Sequence, residues 1–414
     1  ISLITTAGDW GGSFGSIFQN NNRYSIAFDD TTKTFTITHV KIGADVIADA
    51  GGTADDIAVA SAWDELPSST LPNVQRIIDE INHRSQHDTD GYLQLVKSLQ
   101  PVKTNVVHGV SRSLNNAINT QITERLTAVT PMGRNGGDTQ AKTGIWAQGM
   151  YNKSNQSGTY GFDGNTIGMI AGFDTTFGAN ITIGAGYAFS TTDVEADMRN
   201  LEVDGHNLFI YGRYQGENWH VNANLSYGMS DYTDNATALD LNNSRYARRV
   251  FPTQNTKNGG TSLSDSEYST NTIGASALFG YSLNENLDVN IGSRFNHITV
   301  DDYIDMAGQS VSIDDMNFMT VLGGFSYGKQ GQNWTPVIHI AATYDVLSDD
   351  YIANVDLGGS GYVINGENID PFGIEAGISL ETNGDIWDFS IGYDIEWHSN
   401  FISHTGKAKL KYNF

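Results

Sequence analysis

Cysteine is absent from the chain, proline occurs only 7 times, and 23 basic residues stand against 47 acidic ones. Without cysteine there is no disulfide framework and no thiolate metal site, and passage through an oxidising compartment is unhindered. The net charge of −24 excludes nucleic acid as a partner, because neutralising phosphates takes a basic surface. No run approaches the ~20 apolar residues of a membrane helix. The chain opens at Ile1 with no initiator methionine, basic segment or signal-peptide core. It therefore reads as the mature C-terminal portion of a longer precursor.

What is abundant is glycine (45), tyrosine (19) and phenylalanine (18), a composition that suits many strands joined by turns. From about Gly144 the sequence falls into segments of period two. Ile181, Ile183, Ala185, Tyr187 and Phe189 alternate with small or polar residues, as do Trp219, Val221, Ala223, Leu225 and Tyr227. Leu287, Val289 and Ile291, then Trp387, Phe389, Ile391, Tyr393, Ile395 and Trp397, repeat the pattern. Each segment thus has one apolar and one polar face.

A soluble sandwich would alternate too, but three features favour a transmembrane barrel. The segments reach the ~10 residues that a tilted membrane strand needs. Trp219, Trp334, Trp387 and Trp397 mark segment ends, as interfacial girdles do. The polar face also carries Asp174, Asp288, Glu375, Glu381, Asp388, Asp394 and Glu396, which a water-filled lumen tolerates. Segments beginning near 144, 165, 181, 204, 219, 267, 287, 315, 334, 371, 386 and 402 number twelve. Short turns at 177–180, 215–218, 283–286, 329–333 and 382–385 alternate with longer polar connections near 153–164, 191–204, 230–266, 300–314 and 347–370. An even count returns both barrel ends to the short-turn, periplasmic side.

Upstream the period changes. Val74, Ile77, Ile78 and Ile81 recur at helical spacing, as do Val107, Val110, Leu114, Ile118, Ile122 and Leu126, with Asp88–Gly91 and Pro101 dividing the region. The segment from Lys103 to Leu126 is long enough, at 1.5 Å per residue, to cross a bilayer core, yet too polar to face lipid. Residues 1–66 carry strand patterns at Tyr24–Phe28 and Phe35–Val40, then an Asp/Ala/Gly-rich stretch (44–60) that reads as loop or linker. Charge divides unevenly as well. Residues 1–143 carry −4, residues 144–414 carry −20, and residues 103–134 alone carry +3.

This order resembles the translocator region of monomeric (type Va) autotransporters. The matching residues are Gly144-Ile145-Trp146-Ala147-Gln148-Gly149, Gly168-Met169-Ile170-Ala171-Gly172-Phe173-Asp174, the preceding helix with Asn115, Asn116, Arg125 and Leu126, and the ending Lys409-Leu410-Lys411-Tyr412-Asn413-Phe414. The resemblance covers residues 68–414, with 1–60 more loosely like the last rungs of a β-helical passenger. It implies an all-β fold: a twelve-stranded antiparallel barrel (144–414) in the outer membrane, a helical linker region (67–143) whose last helix (about 103–130) lies in the lumen, and a passenger remnant plus flexible linker (1–66). The function it implies is anchoring and surface export of the chain's own N-terminal passenger, without enzymatic turnover or cofactor. The implied partners are that passenger, outer-membrane lipid and lipopolysaccharide, the barrel-assembly machinery and periplasmic chaperones, around a monomeric barrel.

Two further expectations follow. A positive helix in an acidic lumen is held electrostatically, with Arg112 and Arg125 pairing to lumenal carboxylates among Asp174, Asp288, Glu375, Asp394 and Glu396. In some relatives the precursor is cut between adjacent asparagines, and Asn115-Asn116 sits at a comparable place; an asparagine facing a wet lumen is the simpler reading. On the last strand Gly406, Leu410, Tyr412 and Phe414 share one face and match the signal read by barrel-assembly machinery, while Lys407, Lys409 and Lys411 face Asp388, Asp394 and Glu396 of the strand before. No metal site is expected. His83 and His87 have a metal-compatible spacing but no following ligand pattern, and the acidic pairs Asp301-Asp302, Asp314-Asp315 and Asp349-Asp350 read as solvated loops. A general porin and a barrel hydrolase are the alternatives; the first leaves the helical linker unexplained, and the second needs a catalytic set that no motif supplies.

Overall fold

In the computed structural model the described residues are 24–29, 34–39, 41–101 without 67 and 70, scattered positions of a helix between 109 and 122, and 143–414 without 159–160, 179, 197–198, 237–264, 330–333 and 383–385. A hairpin of β1 (Tyr24–Asp29) and β2 (Thr34–His39) forms its own two-stranded sheet. Four helices follow: α1 (Gly43–Asp49), α2 (Ala54–Asp64), α3 (Pro72–His87) and α4 (Thr89–Ser98). Their boundaries are written locally. Thr53 accepts from the Asp56 N–H while the Asp56 carboxylate accepts from the Thr53 N–H, capping α2. Pro72 occupies the first turn of α3, where no donor is needed, and the Asp88 side chain accepts from Gly91 N–H to start α4. The stretch 44–60 is therefore not the loop its Asp/Ala/Gly content suggests. Thr53 and Asp56 cap the second helix, whose buried face mixes Asp55 and Asp56 with Val59, Ala60, Ala62 and Trp63, while apolar Ile57 and Ala58 lie on its other side.

The barrel closes with twelve antiparallel strands: β3 (Thr143–Gln156), β4 (Phe162–Phe177), β5 (Ile181–Ala196), β6 (Arg199–Gln215), β7 (Trp219–Ala236), β8 (Ser266–Asn284), β9 (Leu287–Val300), then β12 (Met316–Gly328), β13 (Trp334–Ser348), β16 (Phe372–Thr382), β17 (Trp387–His398) and β18 (Phe401–Asn413). The closing seam pairs β18 with β3 from Phe401↔Gln156 to Asn413↔Gly144. It ends with Thr143 and Phe414 exchanging both backbone hydrogen bonds. The intervening strands β10 (Tyr303–Ile304), β11 (Ser310–Ile313), β14 (Ile352–Leu357) and β15 (Ser360–Asn365) belong to the connections before β12 and β16, and form a separate four-stranded sheet.

Two of the expected long connections are mostly strand. Of residues 153–164 and 191–204, 153–156, 162–164, 191–196 and 199–204 belong to β3 to β6. The polar residues there are real, but they mark a change of solvent rather than a break in the strand. Along β6, Leu208, Ile210 and Tyr214 point out near the short-turn end, whereas Asn200, Glu202, Asp204 and His206 point out near the other end. In that second region the inward face becomes apolar. Phe162 (β4), Val194 (β5), Leu201 (β6), Tyr232 (β7), Tyr268 (β8), Ile298 (β9), Phe318 (β12) and Phe401 (β18) join one buried core with the four helices and the small sheet. The strands, up to 19 residues long where about 9–11 would span a membrane, thus rise past the lipid as a collar filled by α1–α4.

Candidate functional site

Within the lipid-facing zone the lumen holds part of the chain itself. The helical residues between 109 and 122 present two unlike faces. Ile118 and Ile122 are buried against Trp146, Met150, Ile170, Ala188, Phe209 and Tyr211 on β3 to β6. Room for these rings comes from glycines on neighbouring strands: a Cβ at Gly184 would overlap Tyr211, and one at Gly186 would overlap Phe209, their directly paired partners. This apolar lining was hidden in the sequence by its position. Leu208-Phe209-Ile210-Tyr211 is a continuous apolar run, the mark of a strand covered on both faces.

The opposite face of the helix is ionic. Arg112 donates through Nη1 to Asp345 at 2.6 Å and through Nε to Glu396 at 3.1 Å, and Nη2 lies 3.0 Å from His398 Nε2. Asn116 donates to Glu396 Oε2 at 3.0 Å and accepts from Arg294 at 3.3 Å. Arg294 in turn grips Glu375 with both nitrogens, at 2.5 and 2.9 Å, the fork geometry that fixes a carboxylate plane. A third contact joins Asn224 of β7 to Asn119. Arg112, Asp345 and Glu396 are all buried, so removing one partner would leave a desolvated charge.

The other sequence-derived residues fall into separate places. Asp174 accepts from Tyr211 at 2.9 Å. Asp288 is buried near Arg213. Asp394 pairs with Lys407 of β18, and Lys409 and Lys411 lie 3.7 Å from Glu381 and Asp388. Glu396, expected opposite the lysines, turns to Arg112 instead. Asn115 and Arg125 lie outside the described residues. Asp345 and Arg294 were not singled out from sequence, although Asp345 alternates with outward Tyr344 and Val346. Trp219, Trp334 and Trp387 stand at the short-turn end of their strands and Trp397 at the far end of β17, all exposed. Tyrosines complete the upper rim: Tyr187 bonds His206, Tyr227 bonds Asn271 and Tyr393 bonds His404 across strands. Leu410, Tyr412 and Phe414 share the outward face of β18.

At the mouth, the C-terminus of α4 is caught by three different elements. Arg199 of β6 donates to the carbonyls of Ser98 and Gln100 while pairing with Asp234 of β7. Gln309 donates to Leu99 O at 2.7 Å, and Tyr362 of β15 donates to Gln309 Oε1 at 2.5 Å with its hydroxyl 3.4 Å from the same Leu99 carbonyl. These are the orphan carbonyls of a helix end, and a cation there also meets the negative pole of the helix. Asp305 accepts from Ala307 N–H, Gln309 N–H and Gln309 Nε2, and burial pushes its carboxyl and the Tyr362 phenol above their ordinary values. Within the acidic pairs of the outer connections, Asp349 accepts from both Asn317 nitrogens, Asp350 from Asn368 and Asp314 from Asn354. His83 and His87 stack at 5.0 Å on α3.

Comparison with known proteins places this geometry. The autotransporter β-domain family matches residues 145–394. Outer membrane protein B of Rickettsia prowazekii (strain Madrid E) is 22% identical over 333 residues, 74% of this chain and 19% of that protein. The protein of the same name from Rickettsia typhi (strain ATCC VR-144 / Wilmington) is 23% identical over 309 residues, 66% of this chain and 17% of that one. The chain thus spans about a fifth of the length of these relatives. The translocator domain of autotransporter NalP from Neisseria meningitidis shares the fold, with a TM-score of 0.58 at 15% identity, covering 76% of this chain and 99% of that one.

Proposed function

The chain belongs to the autotransporter β-domain family, and from that premise we propose that its barrel exports, and then holds at the cell surface, the polypeptide N-terminal to it. The barrel is an outer-membrane translocator of type V secretion. The observation that carries the export reading is the occupant of the lumen: helical residues between 109 and 122 fill it with their own chain, tied by Arg112 to Asp345 and Glu396. A general porin has no use for such an occupant. On this reading residues 1–66 end the exported passenger and 67–143 link it to the barrel.

The test is an epitope fused ahead of Ile1. With the 143–414 barrel assembled, the epitope should be cut by protease added to intact cells. An epitope that stays in the periplasm beside a folded barrel overturns the proposal.

Recognition by barrel-assembly machinery, with periplasmic chaperones and lipopolysaccharide as further partners, belongs to the same reading. It is supported by the outward stripe of Gly406, Leu410, Tyr412 and Phe414 beside the closing seam. Phe414→Ser should lower the yield of assembled barrel at equal expression, and an unchanged yield argues against the stripe as signal. Scission between Asn115 and Asn116 would be a single-turnover step in the same lumen, where Glu396 hydrogen-bonds Asn116 and a carboxylate could serve as acid or base. Mass spectra of membrane-extracted protein showing that bond intact would sink it.

A further inference from the structure

Two plugs lie in series along this barrel, and they differ in kind. In the lipid-facing zone the helix meets a lumen that also carries Asn222, Asn224, Asn290, Arg294 and Glu375. Loosening the helix would open that polar lining to water, and ions pass beside polar groups. At the mouth the lining is apolar. Leu201, Val203, Ile298, Val300, Met316 and Phe318 point inward and are buried, packed into one core with Ile77, Leu95 and Leu99 of the α3–α4 region. Eight of the twelve strands contribute to that core. A packed apolar constriction excludes water and therefore ions.

We propose that the mouth unit, α1–α4 with the β10–β11–β14–β15 sheet, is a gate sufficient by itself to keep the barrel closed, and that the lumenal helix is an anchor rather than the seal. The latch of the gate is the grip of Arg199 and Gln309 on the carbonyls of Ser98, Leu99 and Gln100, with Tyr362 holding Gln309 in place. It draws on β6, the β10–β11 turn and β15, so it is complete only when both outer connections have folded over the helices. The gate therefore closes late, after the chain upstream of it has left the lumen. Its α2 helix is tied in at two points: Gln100, after the end of α4, donates to Asp56, and Ser360, at the start of β15 in the small sheet, donates to Glu65 just beyond the helix.

The full 414-residue chain in planar bilayers tests this with three variants whose barrels are first checked for intact, heat-modifiable migration. Arg112→Ala with Asn116→Ala loosens the lumenal helix and should leave the membrane as insulating as the parent does. Leu95→Asp with Leu99→Asp breaks the apolar mouth. Joined to the first pair, it should give steady open-channel steps. Conductance from the Arg112/Asn116 variant equal to that of the combined variant overturns the proposal, and so does a combined variant that stays closed.

A second measurement does not depend on refolding. The chain has no cysteine, so Ser276→Cys places a single thiol at a lumenal position where Ser276 now accepts from Asn224. On intact cells a membrane-impermeant maleimide should label it only when Leu95 and Leu99 are also substituted. Labelling with the mouth intact, once Arg112 and Asn116 are changed, counts against the gate. Surface display of an upstream epitope tests export separately.

Discussion

The same strands do opposite things at their two ends. Near the short turns β5 and β6 put Ile181, Ile183, Tyr187, Phe189, Leu208 and Ile210 outward. Beyond the tyrosine rim they put Thr191, Asp193, Glu202 and Asp204 outward, and Val194, Leu201 and Val203 inward. The two-residue period never lapses. What inverts is the solvent: lipid outside and a polar lumen in the first region, water outside and a protein core in the second. Burial of apolar surface drives both arrangements, but only in the second does it assemble tertiary structure within the chain. Stability against unfolding should therefore be divided between a membrane-held zone and a core-held collar.

The largest effect expected from that division is at Arg199. Arg199→Ala leaves Asp234 buried without its cation and frees the carbonyls of Ser98 and Gln100. Breaking a buried pair costs about 3–5 kcal/mol, and the loss should fall on the collar alone. Amide exchange in α4 should accelerate while exchange in the lipid-facing halves of β5 and β6 holds. Equal acceleration in both zones would mean that they unfold as one unit.

Next come paired lysine substitutions on one strand. Ile210 sits midway along the outward apolar band of β6, between Tyr214 and His206. Ile210→Lys should cost roughly 2–4 kcal/mol in urea unfolding from vesicles, the depth-dependent penalty of a charge facing lipid. Asp204→Lys, six residues up the same face, should change stability by about 0.5 kcal/mol or less, as exposed surface positions do. Similar penalties at both sites would erase the solvent boundary between the regions.

That boundary also explains what could be read from sequence. The twelve strands were legible because alternation holds along most of each strand, despite the register shifts at Ser282/Asn284 and Met319/Thr320, and their expected starts at 181, 219, 287 and 334 are those observed. The collar was not, because outward Asp193, Glu195, Glu202 and Asp204 look like a loop until the inward Val194, Leu201 and Val203 are read with them. The helices over 43–64 were missed for a related reason: the buried face of α2 mixes Asp55 and Asp56 with Val59, Ala60, Ala62 and Trp63, and apolar Ile57 and Ala58 sit on the other side, so the stripe is blurred, although the Thr53–Asp56 capping box stood in plain sequence. The charge of the lumenal helix pointed to carboxylate partners. Which carboxylates they were depends on strand height and shear. Asp345 and Glu396 meet at Arg112 from β13 and β17, two strands apart in the barrel order, a coincidence that no local pattern encodes.

The smallest expected effect lies at the seam, where neither lipid nor core dominates. Lys411 and Asp388 are direct cross-strand partners on the lumenal face, with charged atoms 3.7 Å apart. Ion pairs between directly opposite residues of neighbouring strands are worth about 0.2–1 kcal/mol. Lys411→Glu should cost about that much by like-charge repulsion, and Lys411→Asp with Asp388→Lys should recover most of it. A double-mutant cycle in urea unfolding measures the coupling directly. A coupling several times larger would place the seam in a drier setting than its polar lining implies, and would make register at β17–β18 a matter of charge. A coupling near zero would leave register to the outward pairing of Trp387 with Tyr412 and of Phe389 with Leu410, so that lipid-facing side chains alone align the last two strands.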